Sequence, residues 1–322
     1  MKKKEKTKNP IQPVSGTKVP RFAGPSTFAR LPEMRDVKSC DVAIVGIPFD
    51  AGTSYRPGAR FGPQSIRQAS RHLRTNYHPN YDIEPFKVQQ VADAGDIVCN
   101  PFNINEAIQQ IEKGALDLLN KVGGIISMGG DHTIAFPLLK AVNKINKGPV
   151  ALVHFDAHLD TWDTYFGAPY THGTPFRRAR EENLFLDNAS MHVGIRGPLY
   201  STEDLKNDAE FGFKIIHCDE FQTEGIDKIV KRIRDRVGNN PLYLSIDIDV
   251  LDPAFAPGTG TPEVAGMTTR EIVNVIRGLS GLNLISADVV EVSPAYDHAE
   301  VTSLAAATIV YELTNLFAKA KG

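Results

Sequence analysis

Two carboxylate-rich segments constrain this chain of 322 residues more than any other feature. They are Asp156-Ala157-His158-Leu159-Asp160 and Ser245-Ile246-Asp247-Ile248-Asp249. Each follows an apolar run of strand type, Val150-Ala151-Leu152-Val153 in the first case and Leu242-Tyr243-Leu244 in the second. In an extended chain, residues two apart share a face, which would project Asp156, His158 and Asp160 together, and likewise Asp247 and Asp249. Carboxylates stacked at the end of a buried strand repel, and burial alone would protonate some of them. A divalent cation removes the conflict, and histidine with carboxylates is a metal-ligand set. Asp156, Asp160, Asp247 and Asp249 bring four negative charges, which two divalent ions neutralise. A single D-x-D is usually a solvated turn. Two of them, one holding a histidine and both at strand ends, favour a metal site.

A third segment fits the same site. Gly123-Gly124-Ile125-Ile126-Ser127-Met128 reads as a short buried strand, followed by Gly129-Gly130-Asp131-His132-Thr133 and a helical pattern over 134–142. Paired glycines let the backbone turn sharply. His132 then sits at a strand-to-helix junction, where parallel α/β sheets carry functional residues.

Strand and helix patterns alternate along the chain. Strands are expected at 41–47, 88–92, 191–195, 214–217 and 282–291, besides those already named. Helices are expected at 63–70, 104–119, 226–237 and 301–317, with another capped by Thr268 or Thr269 and running to Arg277. This alternation predicts a mostly parallel sheet with helices on both faces. No composition break marks a linker, so one catalytic domain over 21–322 is expected. Five of the first eight residues are lysine and no apolar stretch follows, so residues 1–20 read as a disordered basic arm.

Hydrophobic content of 42% suffices for a large core, and a net charge of −2 gives no electrostatic case for nucleic acid. No stretch approaches a membrane span in length. Cys40, Cys99 and Cys218 are few, odd in number and widely spaced, which fits neither a disulfide framework nor a zinc finger. A cytoplasmic location is the expectation.

The segments GGDHT, FDAHLDTWD, THGTPF, SIDIDVLDPAFAPGTGTPE and VVEVSPAYD resemble the signature segments of the ureohydrolases. That superfamily includes arginase, agmatinase, guanidinobutyrase, guanidinopropionase and proclavaminate amidinohydrolase, and the likeness is greatest to the agmatinase branch. It runs from about Pro20 to near the C-terminus and includes Tyr55-Arg56-Pro57-Gly58-Ala59-Arg60-Phe61-Gly62-Pro63. The resemblance implies the arginase-type three-layer α/β/α sandwich and a homo-oligomer, trimeric or hexameric. It implies two metals, one held by His132, Asp156, Asp160 and Asp247, the other by Asp156, His158, Asp247 and Asp249. Oxygen-rich ligation with one histidine per metal suits Mn²⁺, with nickel, cobalt or zinc as alternatives.

The implied reaction is hydrolysis of a guanidino compound to urea and an amine. A guanidinium is resonance-stabilised and always charged, so water needs activation; two divalent ions sharing it lower its pKa from about 16 toward neutrality. Glu291 matches the glutamate that pairs with the guanidinium, and His172 the histidine that shuttles protons. Asp131 and Asp163 are candidates for supporting the metal-bound histidines. Gly258, Gly260 and Pro262 read as loop residues shaping the pocket, and Trp162, beside the metal motif, takes no role. Agmatine is the expected substrate, its cationic tail suited to the aromatic stretch after Asp160 and to Asp163. The alternative is a guanidino acid whose carboxylate is held by a cation such as Arg196. A phosphatase or nuclease would need basic residues flanking the ligands, a single-metal deacetylase would lack part of the set, and an inactive binding homologue would have lost ligands.

Overall fold

The computed structural model describes residues 9–321. Its centre is an eight-stranded sheet: β1 (Val42–Ile47), β2 (Val91–Asp96), β3 (Gly124–Gly129), β4 (Ala151–Phe155), β5 (Met191–Ile195), β6 (Lys214–His217), β7 (Leu242–Asp247) and β8 (Leu284–Val290). The spatial order is β2-β1-β3-β8-β7-β4-β5-β6, and every pairing is parallel. Helices α1 (Gly62–Ser70), α2 (Pro85–Val88), α3 (Ile104–Leu119), α4 (Ala135–Asn146), α5 (Pro175–Glu181), α6 (Thr202–Glu210), α7 (Glu220–Glu224), α8 (Ile226–Val237), α9 (Thr269–Gly278) and α10 (Val301–Lys319) complete the described chain.

The interior strands β1, β3, β4, β5 and β7 are buried on both faces, as parallel strands covered by helices must be, whereas the edge strands β2 and β6 are partly exposed. Successive residues alternate between two cores. Ile44, Ile126, Val153 and Leu244 pack with α8, α9 and α10, whereas Val45, Ile125, Leu152 and Tyr243 pack with α3 and α4. The result is the three-layer α/β/α arrangement that the alternating pattern predicts. Thr268 caps α9 in a reciprocal box with Glu271.

Several local expectations are corrected. The strand expected at 88–92 starts later and runs through Val91–Asp96, because Pro85 opens α2 and Arg67 neutralises Asp93 (2.9 Å) and Asp96 (2.7 Å) beneath the sheet edge. α10 is long and apolar enough to cross a membrane, contrary to the expectation that no stretch is. Yet 78% of its most apolar window is buried against the sheet, as befits a core helix. Of the expected arm over 1–20, residues 1–8 lie outside the described residues. From there the chain is tied down: the Ile11 N–H donates to Gln90 Oε1 (2.7 Å) and the Val14 N–H to the Arg30 carbonyl (3.0 Å).

Candidate active site

Strands β3, β8, β7 and β4 are consecutive in the sheet, and their C-terminal ends carry His132, Glu291, Asp247 and Asp156. Residues far apart in sequence thereby meet; the His132 N–H donates to Glu291 Oε1 (2.8 Å) across 159 positions. The sheet delivers Asp156 and Asp247 as expected, but not by strand alternation. β4 ends at Phe155, and the segment after it is a loop in which Asp160 takes φ +55°. That left-handed turn, not a pleat, swings the Asp160 carboxylate back toward His132. Asp249 likewise sits in a 3₁₀ turn after β7, its N–H bonded to Asp247 Oδ1 (2.8 Å).

The histidines organise the carboxylates. His132 Nδ1 lies 3.0 Å from Asp160 Oδ2, 3.2 Å from Asp156 Oδ2 and 3.3 Å from Asp247 Oδ2, without a well-aligned hydrogen bond to any of them. Its Nε2–H donates to Ser245 Oγ (2.8 Å), which donates in turn to Asp288 Oδ1 (2.7 Å). This chain orients the ring so that Nδ1 faces the space among the carboxylates, a usual support for a metal-bound histidine. On the far side, His158 Nδ1 faces Asp156 Oδ1 (3.3 Å) and Asp249 Oδ2 (3.1 Å). The two oxygens of Asp156 therefore face two different histidines, which places this carboxylate between the two halves of the cluster.

The charges are out of balance among these side chains alone. Burial first, then the charges of Asp249 and Asp156, hold Asp247 well above the usual carboxylate range. Burial and Asp156 push Asp249 up to about 6. Burial disfavours a charged His132, but the Asp156, Asp160 and Asp247 carboxylates close around Nδ1 outweigh it and hold its pKa well above the ordinary value. Cations would take the place of these trapped protons. The orphaned Nδ1 and its ring of carboxylate oxygens fit such an ion.

His172 and Glu291 adjoin this cluster. His172 Nδ1 is 3.1 Å from Glu291 Oε1, and its Nε2 is 2.6 Å from Ser54 Oγ. Burial lowers the imidazole pKa, but the hydrogen bond to Glu291 and its charge win and raise it to about 9. Glu291 is 1% exposed, adopts φ +65°, and leaves Oε2 without a protein partner. Asp131 anchors the neighbouring loop, accepting from the Gly52 N–H (2.7 Å) and the Thr133 N–H (3.0 Å). It steadies the backbone on either side of the site rather than a ligand imidazole. At Gly130 a Cβ would run into the Phe49 carbonyl, so glycine is required there.

A cleft of about 710 Å³ opens over these groups, walled by Tyr55, Arg56, Trp162, Tyr165, Tyr200 and Glu263. Trp162 thus lines the cleft. Asp163 does not: its side chain is 64% exposed and paired with Arg178 (2.6 Å). It supports no metal-bound histidine and holds no substrate tail. Arg196 is also excluded as an anion receptor, because its guanidinium donates to the backbone carbonyls of Gly194, Asp249, Val250, Leu251, Glu263 and Val264. Sequence reasoning missed Ser54, His154, Ser245 and Asp288. Ser245 lies inside the motif already quoted, and Asp288 is a carboxylate within an apolar strand, a signal that could have been read.

The model of the arginase family, described as "Arginase family", matches residues 40–315. The chain belongs to the arginase family. This ureohydrolase is 44% identical to the guanidinopropionase of Pseudomonas aeruginosa, covering 96% of each chain. It is 40% identical to the agmatinase of Gallus gallus over 94% of its own length and 88% of the relative's. The structure of proclavaminate amidinohydrolase from Streptomyces clavuligerus superposes with a TM-score of 0.89 at 40% identity, covering 94% of this chain and all of that one. The ureohydrolase is thus an enzyme acting on guanidino groups, of a family that is binuclear and metal-dependent, and its His/Asp cluster fits a metal site.

Proposed function

We propose that this ureohydrolase converts agmatine to putrescine and urea with two manganese ions. His132, Asp156, Asp160 and Asp247 would hold one ion, and Asp156, His158, Asp247 and Asp249 the other. Bound there, the ions lower the pKa of a water from about 16 toward neutrality, which provides a nucleophile at physiological pH. Glu291 Oε2, the unpartnered buried oxygen, accepts the planar guanidinium and presents its carbon. In this scheme water would add to that carbon, the bond to the tail nitrogen would break, and the two protons given up by the water would pass to the leaving amine, the first by way of His172. With a pKa raised to about 9, His172 holds that proton at neutral pH, and Ser54 and Glu291 fix its ring.

The choice of agmatine rests on the cleft wall. Apart from carboxylates of the metal cluster, Glu263 is its one acid among the described residues. It lines the same cleft as Trp162, Tyr165 and Tyr200, with Trp162 packed edge-on against Tyr200 at 5.3 Å. Aromatic faces and a carboxylate suit an ammonium tail. The competing guanidino-acid reading has its own support in Arg56. Its guanidinium lies over Tyr55 (5.5 Å) and Tyr296 (5.2 Å) and pairs with no carboxylate among the described residues.

The deciding experiment compares kcat/KM for agmatine and 4-guanidinobutyrate, with Glu263→Gln and Arg56→Gln beside the wild type. Agmatine should be preferred, and Glu263→Gln should remove that preference. A tenfold preference for the acid, about 1.4 kcal/mol of discrimination, abolished by Arg56→Gln, would overturn agmatine and leave the ureohydrolase chemistry intact. We further place the enzyme in the cytoplasm as a trimer or hexamer, without nucleic-acid or membrane partners. The free Cys40, Cys99 and Cys218 support a reducing compartment, and light scattering in solution tests the assembly.

A further inference from the structure

Helix α6 is polar along its length, and its one fully buried residue is an aspartate, Asp208. Its Oδ1 lies 3.0 Å from His192 Nε2 and accepts from Thr161 Oγ1 (3.2 Å). On β5, His192 pairs in register with His154 of β4, and their Nδ1 atoms are 2.7 Å apart. His154 Nε2 is 2.7 Å from Asp156 Oδ2. Asp156, His154, His192 and Asp208 are all 0% exposed. A continuous line of side chains therefore joins a surface helix to the carboxylate between His132 and His158.

Hydrogen-bond arithmetic orders this line. Both outer nitrogens face carboxylates, Asp156 for His154 Nε2 and Asp208 for His192 Nε2. One proton must lie between the two Nδ1 atoms, or their lone pairs would collide at 2.7 Å. Each contact from Asp156 through both imidazoles to Asp208 is thus a hydrogen bond, and Asp208 closes the line on the side away from the metal cluster. The rings cannot swing: His192 stacks on Phe213 at 3.9 Å and His154 packs on Phe176 at 4.3 Å. Asp208 also grips Thr161, the neighbour of Asp160, so the same carboxylate steadies two segments of the cluster.

We propose that His154, His192 and Asp208 form a buried anchor that fixes the bridging carboxylate Asp156 for the metal pair, with Asp208 as the remote positioning residue. The proposal rests on Asp156 being a metal ligand. His154 lies close enough to His132, Asp156 and Asp160 to share an ion with them, but it is no ligand, since both its nitrogens are already engaged within the anchor.

The test uses chelator-stripped full-length protein, wild type and the variants Asp208→Asn and His192→Phe, titrated with Mn²⁺ by equilibrium dialysis. The wild type should bind close to two ions per chain. The variants should bind ten- to a hundredfold more weakly, the usual effect of losing an outer partner of a ligand. At saturating Mn²⁺ their kcat should fall while KM for the guanidino substrate holds. Circular dichroism of the stripped variants should match the wild type. Wild-type protein that binds no Mn²⁺ overturns the ligand assignment itself. Two ions bound by the wild type and equally tightly by well-folded variants, with kcat unchanged, overturns the anchor alone. Should the variants not fold, histidine ¹⁵N spectra of the wild type decide: one proton bridging the His154 and His192 Nδ1 atoms supports the anchor, and its absence overturns it.

Discussion

His172 and Glu291 form a hydrogen bond of 3.1 Å that uses one carboxylate oxygen and leaves the other without a partner. One glutamate thereby holds His172 and keeps an oxygen free, which the proposed mechanism assigns to the substrate. Replacing His172 with alanine should lower turnover by about a hundredfold or more, the scale of an acid–base group. Bound manganese, measured by elemental analysis, should stay near the wild-type content. Loss of metal in proportion to activity would make His172 a support of the cluster instead.

Glu291→Gln keeps an acceptor for the His132 N–H but removes the charge that faces the guanidinium. A hydrogen bond to a charged group is worth roughly 1.5–3 kcal/mol, so kcat/KM should drop by about ten- to a hundredfold. Metal content should be retained. Steady-state kinetics equal to the wild type would exclude Glu291 from substrate binding.

Asp156→Asn should uncouple the two halves of the cluster, because Oδ2 faces His132 and Oδ1 faces His158. Nearly all turnover should disappear, fewer than two ions per chain should remain, and the far-ultraviolet spectrum should be kept. Chelation of the wild type should abolish activity reversibly. Full activity in chelator-treated protein would refute the metal requirement.

His172 also links stability to pH. Its pKa rises from the ordinary 6.5 to about 9 on folding, so its contribution is fully present below pH 6.5 and is lost as pH climbs through 9. The amount is roughly 3 kcal/mol. Denaturant melts of chelator-stripped wild type and His172→Ala should converge at alkaline pH and separate near neutrality. Their difference isolates His172 from His132 and His158, which are raised in the same direction. A constant difference from pH 6 to 10 would rule out this linkage.

Arg67 offers a test of the fold away from the site. It is 12% exposed and forks between Asp93 and Asp96, pinning α1 to the β2 edge. Arg67→Ala strands the buried Asp93 and should cost about 3–5 kcal/mol in urea unfolding. A cost below about 1 kcal/mol, the level of an exposed pair, would mean that Asp93 finds other partners.

The clustering of His132, Asp156, His158, Asp160, Asp247 and Asp249 was legible because charge at the end of an apolar run has few explanations. The interior strands were legible as continuous apolar runs buried on both faces, whereas the edge strand β2, ending in exposed Gly95 and Asp96, was placed too early. The strand order was not: nothing in the local pattern of β7 or β8 says that both insert between β3 and β4. α6 was invisible to hydrophobic periodicity because an aspartate is its one buried residue. Asp163 and Arg196 show the other limit. Their positions beside the motifs were right, but side-chain direction depends on Arg178 and on six backbone carbonyls, which sequence spacing does not place.

The order β3-β8-β7-β4 also sets a schedule for a chain made from its N-terminus. When β3 and β4 leave the ribosome, the two strands that will lie between them have not been translated. His132 and Asp156 then follow strands with nothing yet paired between them, and Glu291 does not yet exist. Long-range parallel pairing is slow in any case. The carboxylate cluster is therefore completed only at the end of synthesis, and a chain broken off before β8 has neither the strand that lies between β3 and β7 nor Glu291.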